Sequence, residues 1–365
     1  MSAMGRRSGF ARGRADLDST MPGVVIERES EASTGRPVKV LYVLGNYRSG
    51  TTLLSNLIGQ LDGFVCVGEL RALWRELGAA SSRCGCGWAL RECKVWSPVL
   101  AEAIGNRAAI DAVASELLDL QRRRLGHRHT WRKLPSLLAR TNALATPDEA
   151  LARYAKVLAR VYRAIADVTG ARVVVDSSKE ATDATTLRLR RDLRPYLVQI
   201  VRDARGTVYS GLRAQGGGAP VTQIDLSRTA YATISWCFGN LAGRAVQLTY
   251  GHGRTALFRY EDLIDQPGRT LTAIGDLVGE PSRPSFLDGR LAVMQPTHSV
   301  AGNDSRFQTG TIPLRSDTDW ISHLHPLNRS VVTVLAAPLL AAFHYPISVR
   351  HAGPNPSPAC GGSRP

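Results

Sequence analysis

Apolar positions along this chain follow two rhythms. In the first, short runs of apolar and β-branched residues stop at a glycine or a charged residue. Val38 to Leu44, Phe64 to Glu69, Ala171 to Asp176, the stretch from Tyr196 to Arg202, and Thr255 to Tyr260 read this way. Runs of that length with little alternation predict strands buried on both faces, the pattern of a parallel sheet. In the second rhythm apolar residues return at helical spacing. Leu53, Leu54, Leu57, Ile58 and Leu61 do so after the first run, as do Leu70 to Leu77, Ala108 to Leu125, Asp148 to Val168, Ile224 to Thr249 and a stretch after Pro267. Strands alternating with helices predict an α/β fold with a mainly parallel sheet between helical layers, α/β/α. Residues of about 97–170 are almost wholly helical in pattern and read as an insertion.

Composition narrows this picture. The 365 residues are 44% hydrophobic, enough for one large globular domain, expected over about 37–345. Residues 1–36 form a basic Gly/Ser/Arg-rich tail, and 346–365 a tail rich in Pro, Gly and Ser; both are expected to be loose. A formal charge of +15, spread along the chain, suits anionic partners such as nucleotides, acidic substrates, nucleic acid or an anionic membrane surface. No run approaches the roughly 18 apolar residues of a membrane span, although peripheral contact with a membrane is compatible with the charge. Arg6 and Arg7 are not followed by an apolar stretch, so a cytoplasmic location is expected.

The candidate chemistry begins between the first strand and the first helix, at Gly45-Asn46-Tyr47-Arg48-Ser49-Gly50-Thr51-Thr52. A strand, a glycine-bounded loop and a helix start form a phosphate cradle: backbone N–H groups face the loop, and the helix N-terminus adds partial positive charge. The spacing is nearly that of a Walker A loop, G-x-x-x-x-G-K-[ST], with Gly45, Gly50 and Thr52 in place. Thr51 stands at the lysine position, which leaves the loop poorly equipped for ATP hydrolysis with Mg²⁺. Arg48 instead puts a cation beside the hydroxyls of Ser49, Thr51 and Thr52, a set suited to a tetrahedral oxyanion held without a metal.

Further along, Glu69 ends the second strand, on the side where ligands of open α/β sheets collect. It is either a general base or a cap for the next helix. Cys84, Cys86 and Cys93 are spaced as three metal ligands or a disulfide; Cys66, His127 or His129 are the residues considered for a fourth position. Arg122 to Lys133 is a basic run that serves as either a nucleic-acid patch or a solvated face. Asp176 stands where it could cap the helix after the third strand. Arg202 ends the fourth strand, and a fork of donors beside a hydroxyl such as that of Ser210 suits a phosphomonoester. Ala214 to Thr222 reads as a glycine-rich lid.

Taken together, Tyr47 to Leu54 (YRSGTTLL), Val67 to Arg71 (VGELR), Val201 to Ser210 and Arg259 to Leu263 (RYEDL) resemble motifs of sulfotransferases that use 3′-phosphoadenosine 5′-phosphosulfate (PAPS). The similarity is to the tyrosylprotein and carbohydrate branches and their bacterial relatives. It spans about Val38 to Trp320 and implies a P-loop-like α/β/α domain that moves a sulfuryl group from PAPS to an acceptor hydroxyl. The resemblance implies that Tyr47, Arg48, Ser49, Gly50, Thr51 and Thr52 hold the 5′-phosphosulfate. Lys179 would stabilise the leaving oxygen, and Glu69 would be the base, with Arg71 orienting it or meeting the acceptor. Arg202 and Ser210 would grip the 3′-phosphate, and Tyr260, Asn303 and Arg306 would contact the nucleotide; His298 is the rival base. It implies no metal requirement, and it makes the cysteine segment a structural loop near the acceptor entrance. The partner expected is a small-molecule or glycoconjugate acceptor with a hydroxyl (carbohydrate, glycolipid or natural product) and not nucleic acid. Two rival readings are a P-loop nucleotide kinase or NTPase and a basic nucleic-acid-binding protein.

Overall fold

The first apolar run becomes β1, Val38–Gly45, the central strand of a five-stranded sheet in the order β2-β3-β1-β4-β5. The structure, a computed structural model, describes residues 36–125, 149–218 and 223–347. The expected tails lie outside those residues except at their inner ends; so do His127, His129, most of the basic run and the far half of the glycine-rich segment. The other strands are β2 (Phe64–Gly68), β3 (Val173–Lys179), β4 (Leu193–Val201) and β5 (Thr255–Arg259), and all four pairings are parallel.

Side chains of β1 alternate between two cores, as a two-residue period requires. Val38, Val40, Tyr42 and Leu44 join Trp74, Trp96 and the buried stripe of helix Glu149–Thr169. Leu41 and Val43 join Leu54, Leu57 and Ile58 of helix Thr51–Ile58, together with Leu271 and Ile274 of helix Pro267–Leu277. With both faces covered, no polar alternation is needed, and three layers result: helices, a parallel sheet, helices. A small antiparallel sheet, β6 (Leu287–Asp288), β7 (Leu291–Met294) and β8 (Gly310–Pro313), packs into the second core.

Two boundaries differ from the expected ones for physical reasons. β4 begins at Leu193, ahead of Pro195, a residue that usually ends a strand. Pro195 is tolerated because β5 pairs with β4 only from Leu197 onward, leaving one flank of β4 free there. β3 runs past Asp176 to Lys179. Asp176 therefore does not cap the next helix, whose N-cap is Glu180. Its carboxylate is buried and accepts from Tyr162 Oη at 2.5 Å, Ser178 N at 2.8 Å and Ser178 Oγ at 2.5 Å. Burial pushes this carboxyl up to about 6.

Candidate active site

Every strand of the parallel sheet delivers a polar residue to one edge. The C-terminal ends present, in spatial order, Glu69 after β2, Lys179 at the end of β3, the Asn46–Gly50 loop after β1, Arg202 after β4 and Tyr260 after β5. This edge is where parallel sheets place ligands.

The loop is built by its own residues. Ser49 N and Ser49 Oγ both donate to Asn46 O, at 3.1 and 2.7 Å, and Tyr47 N donates to Asn46 Oδ1 at 3.0 Å. Arg48 adopts φ 68° and Gly50 φ 90°. At Gly50 a β-carbon would also lie 2.5 Å from Tyr260 Cδ2, so the position is closed to side chains twice over. Gly50 is the N-cap of helix Thr51–Ile58, and among the described residues no side chain caps that helix. Among the described residues, the buried Arg48 Nε has no hydrogen-bond partner. An uncapped helix N-terminus beside an unpaired guanidinium N–H is a site with donors to offer an anion.

Arg202 lies beside this loop. It is 5% exposed and donates from Nη1 to Arg48 O at 3.2 Å and from Nη2 to Asp317 O at 3.0 Å. The same nitrogen lies 2.9 Å from Asp317 Oδ2, and the guanidinium sits 4.9 Å over the Tyr260 ring. Its ion-pair partner is thus Asp317 and not the adjacent Asp203. Asp203 instead caps helix Ala204–Gln215 and takes two bonds from the Arg205 side chain, at 2.9 and 2.6 Å. Ser210 is half-buried on that helix, and among the described residues no hydrogen bond joins it to Arg202. Tyr260 Oη donates to Arg315 O at 3.4 Å, and burial raises the pKa of its phenol.

At the other end of the row Glu69 Oε1 and Lys179 Nζ form an ion pair. Glu69 occupies the N-cap of the short helical turn Leu70–Ala72, yet its side chain makes no cap hydrogen bond, contrary to the capping alternative. Lys179 holds φ 68°, a left-handed conformation strained for a non-glycine residue, at the strand end facing the loop. Arg71 turns away: it pairs with Asp183 at 2.5 Å and donates to Leu125 O at 2.7 Å, not to Glu69.

A late segment closes over this end. Glu69 N donates to Ala301 O at 3.3 Å, and Asn303 N approaches Thr52 Oγ1 at 3.5 Å. A β-carbon on Gly302 would fall 3.5 Å from Thr52 Oγ1 and 3.7 Å from Glu69 Oε1. Asn303 Oδ1 caps the turn Asp304–Phe307 through Ser305 N at 3.1 Å. Arg306 braces the segment, donating to Ser299 O at 3.3 Å and Arg83 O at 3.1 Å, while its buried Nε has no partner among the described residues. His298 does not face Glu69; its Nδ1 lies among Cys84 and Cys93. Asp317 and the His298 contact carried no signal in the sequence, since both partners sit more than a hundred residues away in the chain.

A family model described as "Sulfotransferase family" matches residues 41–284. No curated protein matches the chain. Among solved structures, the sulfotransferase domain from the curacin biosynthetic pathway is 15% identical, with a TM-score of 0.48, over 86% of this chain and 100% of that one. The sulfotransferase domain from the Synechococcus PCC 7002 olefin synthase is 19% identical, with a TM-score of 0.45, over 88% of this chain and 99% of that one.

Proposed function

The chain belongs to the sulfotransferase family, and from that premise we propose that it moves a sulfuryl group from PAPS to the hydroxyl of a carbohydrate, glycolipid or natural product. The observation carrying this reading is the row of Glu69, Lys179, Arg48 and Arg202 along one sheet edge, beside a helix N-terminus that no side chain caps. Three cations and the loop amides suit a donor with an anion at each end. One carboxylate suits the proton that an attacking hydroxyl must lose.

In this proposal the amides of Ser49 to Thr52 and the Arg48 guanidinium hold the 5′-phosphosulfate. The acceptor oxygen attacks sulfur while its proton passes to Glu69, and the bond from sulfur to the 5′-phosphate oxygen breaks. Lys179 meets the charge that develops on that oxygen, and adenosine 3′,5′-bisphosphate leaves. Glu69 and Lys179 hold each other in the resting protein. Each therefore exchanges one partner for a reacting atom when the substrates arrive. Arg202, with Ser210, meets the 3′-phosphate; Asp317 holds the same guanidinium until then. Tyr260 supports the loop and Arg202 from below. Thr51 stands where an NTPase loop needs its lysine, so a kinase reading lacks the cation for a γ-phosphate.

Calorimetry tests the 3′-phosphate assignment. Adenosine 3′,5′-bisphosphate is expected to bind much more tightly than AMP. Arg202→Ala is expected to remove about 1.5–3 kcal/mol from the bisphosphate alone. Equal affinities for the two nucleotides would overturn the reading.

A further inference from the structure

We propose that Cys84, Cys86, Cys93 and His298 form a structural zinc site that fastens the late segment over the candidate active site. The four ligand atoms lie within 4.8 Å of one another. Cys86 Sγ is 3.7 Å from Cys93 Sγ, and His298 Nδ1 is 3.7 Å from Cys84 Sγ and 3.3 Å from Cys93 Sγ. Zinc bonds of about 2.3 Å to sulfur and about 2.0–2.1 Å to nitrogen, at tetrahedral angles, set ligands about 3.8 Å apart for two sulfurs and about 3.6 Å apart for sulfur and nitrogen. The Cys86–Cys93 and Cys84–His298 separations match those values, the Cys93–His298 separation of 3.3 Å is slightly shorter, and the rest, all within 4.8 Å, are close enough for small side-chain shifts to complete the tetrahedron. A disulfide needs sulfurs about 2.05 Å apart, and all of these cysteines are free thiols.

The surrounding chain shapes the cluster as a binding site. Gly87, at φ 90°, closes a turn in which Gly87 N donates to Cys84 O at 2.8 Å and Cys84 N to Trp88 O at 2.9 Å. The turn brings Cys84 and Cys86 to one side. Gly85 cannot carry a side chain: a β-carbon there would lie 2.3 Å from Ser299 Oγ and 2.7 Å from Thr297 O. That close approach seats the His298 segment on the cysteine turn, sealed by Gly85 N donating to Ser299 O at 2.8 Å. Trp96 Nε1 donates to His298 O at 2.7 Å and fixes the backbone of the fourth ligand. Val95 N points at Cys93 Sγ at 3.5 Å, as an amide does toward a thiolate. Three thiols and one imidazole select zinc over harder cations, and four protein ligands leave no open position for catalysis.

The consequence is mechanical. The residues after His298 hold Glu69 through the Ala301 carbonyl, pair with β2 through Val300 N and Val67 O at 2.9 Å, and pass Gly302 over Thr52. Metal at the cysteine turn ties His298 to Cys93, 205 residues earlier, and so sets the lid over the candidate base.

The test uses the full chain purified under reducing conditions without chelator. Elemental analysis is expected to find one zinc per chain. Replacement by Co²⁺ is expected to give the intense visible bands of a tetrahedral site and thiolate charge transfer. Cys237→Ser, outside the cluster, leaves both unchanged. His298→Cys keeps the metal with a shifted cobalt spectrum, and His298→Ala lowers the cobalt affinity. If a variant fails to fold, the wild-type metal content and cobalt spectrum still decide. Folded wild-type protein that holds no zinc and gives no tetrahedral cobalt spectrum overturns the proposal. So does a Cys86–Cys93 disulfide in peptide mapping, or an unchanged cobalt spectrum in His298→Ala. None of these readouts depends on sulfuryl transfer.

Discussion

Gly50→Ala separates a phosphate loop from an ordinary turn. Left-handed backbone at φ 90° costs an L-residue about 1–2 kcal/mol. The added methyl would also sit 2.5 Å from Tyr260 Cδ2, about 1 Å inside normal carbon contact. The ring is 8% exposed and lies under the Arg202 guanidinium, so it cannot simply swing away. Overpacking of this kind costs about 1–3 kcal/mol. The total expected is about 2–5 kcal/mol, read by urea unfolding with the slope unchanged. Gly170→Ala is the control: its φ is 67° but nothing lies within 4 Å of the added carbon, so it should cost only the backbone part. Equal losses in the two variants would refute the packing argument. A Gly50→Ala protein that still binds adenosine bisphosphate with wild-type affinity would refute the loop as its site.

The same geometry sets other expected outcomes. Glu69→Gln should lower kcat by about 10²–10⁴ while bisphosphate affinity stays near wild type, measured by steady-state kinetics and calorimetry; loss of binding as well would make Glu69 structural. Because the proposed transfer offsets the donor's charge with Arg48, Lys179 and the loop amides, turnover should be the same with and without added Mg²⁺. Asp176 keeps its proton up to about pH 6 when folded, against an ordinary value of 3.8. Between those values the folded state holds a proton that the unfolded state has lost, so the group's contribution to stability falls as pH rises. Asp176→Asn should therefore gain on wild type by roughly 2 kcal/mol from pH 4 to pH 6 in urea titrations, and a constant gap would remove the buried-carboxylate account.

Much of this site could be read from the chain because its parts sit at the ends of strands. The run Val38 to Leu44 announces a strand buried on both faces, and the residues just past the C-terminal end of such a strand lie at the ligand edge of a parallel sheet. Glu69, Arg202 and Tyr260 were legible as strand-end residues, each closing an apolar run, whereas Lys179 lies past Asp176, where the third run ends, and its role, like those of the other three, came from the family resemblance. The chain hides the meetings between distant segments. Asp317 pairs with Arg202 across more than a hundred residues, and His298 completes the cysteine cluster from a turn with no metal-site spacing of its own. The small sheet of β6, β7 and β8 escaped because strands of two to four residues carry too few positions for an alternation to register. Asp176 looked like a helix cap because its burial comes from Tyr162, on a helix that precedes the strand.

The central claim concerns the group transferred and its donor. The direct measurement incubates the full chain with PAPS carrying labelled sulfur and a panel of hydroxyl acceptors, and tracks the label into product by mass spectrometry. The account predicts label on an acceptor oxygen, with equimolar adenosine 3′,5′-bisphosphate, and transfer slowed by about 10²–10⁴ in Glu69→Gln. Protein that neither binds PAPS nor protects the loop against proteolysis in its presence, or that transfers label equally well without Glu69, would contradict it.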